Sequence, residues 1–312
     1  MSTRTATLPR MPVVPGVEHE LVDLSDGRMH VAVAGEGEPV VLLAGLGQSW
    51  WEWRDVIPVL AGRYRVIAPD LRGDGWTDLP EAAITRTRRL SDLLELFDVW
   101  ELPPVRLVSH DLGAVTALQL TLGHARRVTS QVVLAVPPPQ MRFTPDMLPG
   151  MRQLWFEEAL AVPALGPALL RSDRFSRWLL AHFTTRPLPP EVMDTYAALL
   201  SEPSRARAGS LLCRRMVLPE LVRIIRGDYR SARFEMPTLY VFGGGDLAFP
   251  PAVARRMFSD PATIGRDVRV EILEGAAHFV VDEQPAATVR LIADHFVRST
   301  TVADPRRGQG ET

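Results

Sequence analysis

The chain has 312 residues, 46% of them hydrophobic, with 35 basic against 37 acidic side chains. This is enough apolar material for one large domain or a domain with an insertion, and with a formal net charge of −2 nothing favours nucleic acid or an anionic membrane as a partner. A single cysteine, Cys213, excludes an internal disulfide and a cysteine-based metal site, and the absence of any lysine excludes Schiff-base chemistry and a P-loop.

Residues 1–16 mix Pro, Thr and Arg without periodicity and read as a flexible N-terminal arm, with no apolar stretch of secretory-signal type. Candidate strands follow at 18–24 and 29–34, then the apolar run PVVLLAGLG and the Trp-rich helix start SWWEWRDVIPVL. YRVIAPD reads as a strand, 86–99 as a helix, VRLVSHD as a strand, 113–124 as a helix and SQVVLAV as a strand. After a long gap come PTLYVFGGGD, a helix near 251–258, VRVEIL and a last helix near 285–297. Continuous apolar strands alternating with helices predict an α/β fold, its mostly parallel sheet covered by helices on both faces. No run is long enough for a membrane span, so a cytoplasmic protein is expected.

The gap itself, opened by PPPQ, contains LGPALL, SRWLLAHF, PPEVMDTYAALL and SLLCRRMVLPELVRII, all of helical pattern. The expected organisation is therefore a core over 17–138 and 235–299, a helical insertion over 139–234 between the sixth and seventh strands, and a disordered tail over 300–312.

LVSHDLGA, residues 107–114, poses the functional question. A strand that ends in Ser-His-Asp and restarts at once as a helix is either a simple N-cap or a nucleophile on a strained turn. In parallel sheets function gathers beyond the carboxyl ends of the strands, and there the sequence sets Asp111, Asp246 and His278. Their order, acid–acid–histidine, matches the nucleophile–acid–histidine order of α/β-hydrolases. Ser109 and Gly113 supply the small residues a tight elbow needs on either side of Asp111. Asp246 then orients His278, which activates water. His110 reads as packing into the sheet.

On these motifs the chain resembles the epoxide hydrolase and haloalkane dehalogenase branch of the α/β-hydrolases over about residues 20–298. QSWWEWRDVIPVLAGRYRVIAPDLRGDGWTD, SHDLGA and GAAHFVVDEQP carry the resemblance. It implies that the insertion is a cap and that the backbone N–H groups of Leu46 and Leu112 form an oxyanion hole. It also implies an Asp111 alkyl ester, hydrolysed by water that His278 activates. No cofactor or metal is implied. The partners are a small hydrophobic substrate and water, with the protein a monomer or homodimer.

An aspartate nucleophile suits an sp3 carbon bearing a leaving group, and epoxides and alkyl halides are the obvious electrophiles. Family members cradle halide with a Trp beside the nucleophile and an Asn or second Trp; here Leu112 and Leu46 stand there and Asn is absent. Epoxide opening is therefore expected, with haloalkane or haloacid dehalogenation, or weak small-ligand binding without efficient turnover, as alternatives. Cap tyrosines protonate the epoxide oxygen in the family, yet the corresponding positions carry Cys213-Arg214 and the stretch Arg152, Trp155, Phe156. Tyr196 and Tyr229 remain as tyrosine candidates, with Trp155 as an indole N–H and Trp50 at the pocket mouth. The loop Ala44-Gly45-Leu46-Gly47 also lacks the family's His and Pro.

Overall fold

The computed structural model describes residues 8–303. Eight strands form one sheet in the order β1-β2-β4-β3-β5-β6-β7-β8. They are β1 (Glu18–Leu24), β2 (Gly27–Ala34), β3 (Glu38–Leu43), β4 (Tyr64–Pro69), β5 (Val105–His110), β6 (Val128–Leu134), β7 (Thr238–Gly243) and β8 (Val268–Leu273). The β1/β2 and β2/β4 pairings are antiparallel and all others parallel.

The central strands are apolar on both faces because helices cover both. Val40 and Leu42 of β3 pack in one layer with Val108, Val132, Ile292 and Phe296. Val41 and Leu43 pack in the other with Leu107, Val133, Leu93, Leu96 and Phe97. Alternate residues of a strand point to opposite faces, so each strand serves both layers. The helix Arg86–Val99, which contributes to the second layer, begins where expected because Thr85 Oγ1 accepts from the Arg88 N–H at 3.1 Å.

Register aligns the carboxyl ends of the strands. Leu43 of β3 lies opposite Ser109 of β5, and His110 opposite Leu134 of β6. Between β6 and β7 the described chain forms helices and no named strand: Trp155–Ala161, Leu165–Leu170, Asp173–His182, Pro190–Ser201, Pro203–Leu212 and Leu218–Arg226 are the principal ones. Pro190 and Pro203 open their helices, where a missing N–H is harmless. A π-helical segment, Cys213–Val217, joins the last two.

Three local readings differ from the pattern. The Trp-rich stretch forms a 3-10 turn, Trp50–Trp53, and a separate single turn, Ile57–Leu60, because all three tryptophans are buried and no solvent face remains for one amphipathic helix. Residues 8–16, though irregular, lie on the core: Val14 is buried and the Trp76 indole donates to the Pro9 carbonyl at 2.9 Å. The last helix, Pro285–Ala303, outruns the expected end, held by Arg106, which donates to the Phe296 carbonyl, Ser299 Oγ and Thr300 Oγ1. The rest of the expected arm, residues 1–7, and the tail beyond 303 lie outside the described residues. Among those described, no helix is long and apolar enough to cross a membrane.

Candidate active site

Asp111 stands between β5 and the helix Asp111–Gly123 with φ +42°, the left-handed region that a non-glycine residue avoids. The sharp turn works only because Gly113 follows. A Cβ there would lie 2.5 Å from the carbonyl oxygens of both Leu43 and Ala44, so the helix could not sit this close to β3. Ser109, two residues before, is fully buried in the strand.

The loop after β3 turns back over this elbow. The Leu46 N–H donates to Asp111 Oδ2 at 2.8 Å, while the Gly45 N–H donates to Glu52 at 3.1 Å. Thus Ala44-Gly45-Leu46-Gly47 aims a backbone donor at Asp111 without the expected His and Pro. Leu112, the other oxyanion candidate, is next in the first turn of the helix, where N–H groups lack intrahelical partners.

His278 enters from the loop after β8. Its Nε2 lies 3.7 Å from Asp111 Oδ1, and its Nδ1 lies 3.4 Å from Asp246 Oδ2. These are ion-pair distances, longer than formed hydrogen bonds. Asp246 is fixed by its other oxygen, which accepts from the Ala248 and Phe249 N–H groups at 2.8 and 3.1 Å. Burial disfavours an imidazolium at His278, but Asp111 and Asp246 outweigh it and raise its pKa to about 10. Burial likewise opposes the Asp111 charge, yet His278, then His110 and the Leu46 N–H, hold that carboxyl well below the usual carboxylate range. The resting pair is a carboxylate beside an imidazolium.

His110 does more than pack. Its Nδ1 is 2.7 Å from Glu52 Oε1 and its Nε2 is 2.9 Å from the His278 carbonyl oxygen. Both partners are acceptors, so both ring nitrogens carry protons. Burial opposes this charge, but Glu52 prevails and raises the His110 pKa. An imidazolium therefore grips the backbone of the candidate base.

Two chambers adjoin Asp111. The smaller, about 60 Å3, is walled by Leu46, Leu154, Phe156, Leu179, Phe183 and Leu200, among others. The larger, about 140 Å3, runs along Val136, Pro137, Met151, Leu221 and Phe249. Asp111, Leu112, Leu154, Glu157, Val217 and His278 belong to both.

Three pocket candidates from the sequence do not line either chamber. Trp50 is fully buried with its ring edge-on to His19 and Trp51. Trp155 is half-exposed on the outer side of its helix, against Trp178. Tyr196 is buried, its hydroxyl 3.1 and 3.2 Å from the two oxygens of Asp282, which also pairs with Arg54 at 2.7 Å. Tyr229 donates to Glu220 and accepts from Arg86, so it too is engaged elsewhere. Burial, with Glu157 nearby, pushes the Cys213 thiol up and leaves it inert.

Glu157 is the polar residue that sequence reasoning passed over. It stands three and four residues before Leu160 and Ala161, both buried, so helical phase alone turns it inward. Burial, then the charges of Asp111 and Glu158, raise its pKa to about 8, against an opposing contribution from His278. Among the described residues, no group of His, Cys, Asp and Glu is arranged to hold a metal ion.

A model of the alpha/beta hydrolase family matches residues 40–291. The chain belongs to that family. It is 28% identical over 313 aligned positions to "Epoxide hydrolase 2" of Siraitia grosvenorii, covering 89% of this chain and 98% of that one. It is 28% identical over 283 positions to "Haloalkane dehalogenase 2" of Mycobacterium bovis, with 89% and 95% covered. Among solved structures, the epoxide hydrolase VrEH1 of Vigna radiata superposes with a TM-score of 0.75 at 25% identity, covering 92% of this chain and 100% of that one. This hydrolase is thus epoxide-hydrolase-like, with dehalogenases also among its relatives.

Proposed function

We propose that the protein hydrolyses a small hydrophobic epoxide through an ester on Asp111, with the helices between β6 and β7 acting as its cap. The observation that carries this reading is the division of labour at the Asp111 carboxylate. Oδ2 is held by the Leu46 N–H at 2.8 Å, and Oδ1 is left toward the chambers beside His278. Oδ1 attacks an epoxide carbon and the ring C–O bond breaks. The ester so formed carries no charge, so His278 loses one of its two anionic partners and its pKa falls, freeing it to act as a base. It then takes a proton from water, which adds to the ester carbon. Negative charge develops on Oδ2, where the Leu46 N–H already points and the Leu112 N–H is the second donor.

The walls favour an epoxide over a halide. Apart from His278, no residue lining the two chambers offers a side-chain N–H that could cradle a halide ion. The retained Leu46 donor argues against a site that merely binds.

Intact-protein mass spectrometry of a His278→Gln variant tests the reading. Incubated with a panel of epoxides and haloalkanes, the variant should accumulate an adduct of full epoxide mass on Asp111, because the ester forms but is not hydrolysed. An adduct equal to a haloalkane less its halogen, with none from epoxides, would overturn the reading in favour of dehalogenation. No adduct at all would favour the binding protein.

A further inference from the structure

Opening an epoxide leaves an alkoxide, which needs a proton as the ring C–O bond breaks. The two candidate tyrosines, Tyr196 and Tyr229, are hydrogen-bonded to Asp282 and Glu220 and line neither chamber. The chamber walls are otherwise Leu, Ile, Phe, Val, Met, Ala and Pro, relieved by Asp111, His278, Glu157 and Glu220. Asp111 is the nucleophile in this reading, and Glu220 is bound to Arg86 at 2.7 Å and to Tyr229. Glu157 alone among these walls is an acid with no hydrogen-bond or ion-pair partner among the described residues, and it belongs to both chambers at the point where they meet Asp111.

We propose that Glu157 is the proton donor to the epoxide oxygen, taking the place that tyrosines hold in relatives. The inference rests on the epoxide-opening reading above.

Its surroundings keep it an acid. Asp111 and Glu158 disfavour its charge, and only His278 favours it. No arginine is among the charges that act on it: Arg205 is bound to the Gly75 and Thr77 carbonyls, Arg207 to Glu81, Arg215 to the Ala82 carbonyl and Arg223 to Tyr229. A lone carboxyl in an apolar wall is costly unless neutral, and a neutral carboxyl is a donor.

Protons balance over the cycle. At rest Asp111 is a carboxylate, His278 an imidazolium and Glu157 a carboxylic acid. Oδ1 attacks carbon, the ring C–O electron pair goes to oxygen, and that oxygen takes the Glu157 proton. The site now holds a neutral ester, an imidazolium and the Glu157 carboxylate. Transfer of the His278 proton to Glu157 across the chamber restores the acid and creates the base in one step. Water then adds to the ester carbon while His278 takes one of its protons. The glycol oxygen leaves with that proton, the second water proton returns to His278 from the Asp111 carboxyl, and the resting state is regained.

The test compares leaving groups in the His278→Gln protein, where alkylation is read directly as adduct mass against time. Styrene oxide needs a proton on departure, whereas 1-bromo-2-phenylethane does not. Adding Glu157→Gln should slow alkylation by the epoxide about a hundredfold or more while leaving the bromide rate nearly unchanged. Adding Glu157→Asp in place of Gln should recover part of the epoxide rate. In the protein with His278 intact, kcat/KM for the epoxide should fall as pH rises through about 8, and this fall should vanish in Glu157→Gln. Epoxide alkylation undiminished by Glu157→Gln would overturn the assignment while the Asp111 ester reading stood. So would equal loss for both electrophiles, which marks a structural role. Failure of every panel epoxide to alkylate the His278→Gln protein itself removes the reading and the assignment together.

Discussion

His278 lies between two carboxylates, and in the proposed cycle alkylation of Asp111 removes one of them. Asp246 is then the sole anion holding the imidazole, so its loss should harm hydrolysis of the ester more than its formation. We expect Asp246→Asn to lower kcat on the order of a thousandfold, with an Asp111 adduct visible by mass spectrometry during steady-state turnover. A kcat loss with no adduct would place the role of Asp246 in the alkylation step instead. His110 gives a second prediction at this scale. It and Glu52 are fully buried and paired, and removing one partner of such a pair typically costs about 3 kcal/mol. Glu52→Gln should show this in denaturant unfolding, and the effect should depend on pH. The His110 pKa is raised in the folded protein, so its contribution is complete below the unfolded value of about 6.5 and fades as pH rises through the folded value. Wild type and Glu52→Gln should therefore converge in stability at high pH; a constant gap would mean that His110 carries no proton in the pair.

The element that decides the site is the turn from β5 into its helix. Asp111 at φ +42° stores backbone strain of about 1–3 kcal/mol, which glycine would not feel. Asp111→Gly should therefore be more stable than Asp111→Ala by about 1 kcal/mol in chemical unfolding, the reverse of their usual order in helices; the opposite order would deny the strain. Both remove the same carboxylate, so the comparison isolates the backbone. Gly113→Ala should be destabilising by about 1–3 kcal/mol and abolish turnover, since its Cβ meets two carbonyl oxygens. This turn was legible in the sequence because the elbow imposes residue size at fixed offsets, Ser109 before and Gly113 after. That Asp246 and His278 would come together beside Asp111 was legible because strand ends are marked by glycine and polarity. Glu157, Glu52 and Asp282 were not. Each sits in an apolar run where helical phase or a long-range partner, not spacing, gives it meaning. Trp155 misled for the matching reason: its neighbours Phe156 and Glu157 take the inward phase, leaving the indole outside.

Across the whole molecule, the apolar strands announced a sheet covered on both faces, and the proline-flanked gap announced its helical segment. What composition did not announce is where arginine goes when lysine is absent. Arg72 is fully buried, its fork on both oxygens of Asp92 at 2.7 and 2.9 Å and a further N–H on the Pro80 carbonyl at 3.0 Å. It ties the segment after β4 to the helix Arg86–Val99. An ammonium cannot reproduce that fork, so Arg72→Lys should destabilise by about 3 kcal/mol in thermal or denaturant unfolding, far more than a charge-conserving change on the surface. A loss within experimental error would show that charge alone, without geometry, holds these parts together.

The Leu46 N–H on Asp111 Oδ2 has an isotopic consequence. If that bond names the same oxygen in every cycle, the protein keeps it for life and gives away only its neighbour. The diol then carries away an atom that belonged to Asp111, and solvent oxygen replaces it. After many turnovers in water enriched with heavy oxygen, the Asp111 peptide should hold one heavy atom and never two. The nucleophile would thus carry a permanent memory of which side faces the backbone and which side faces the substrate.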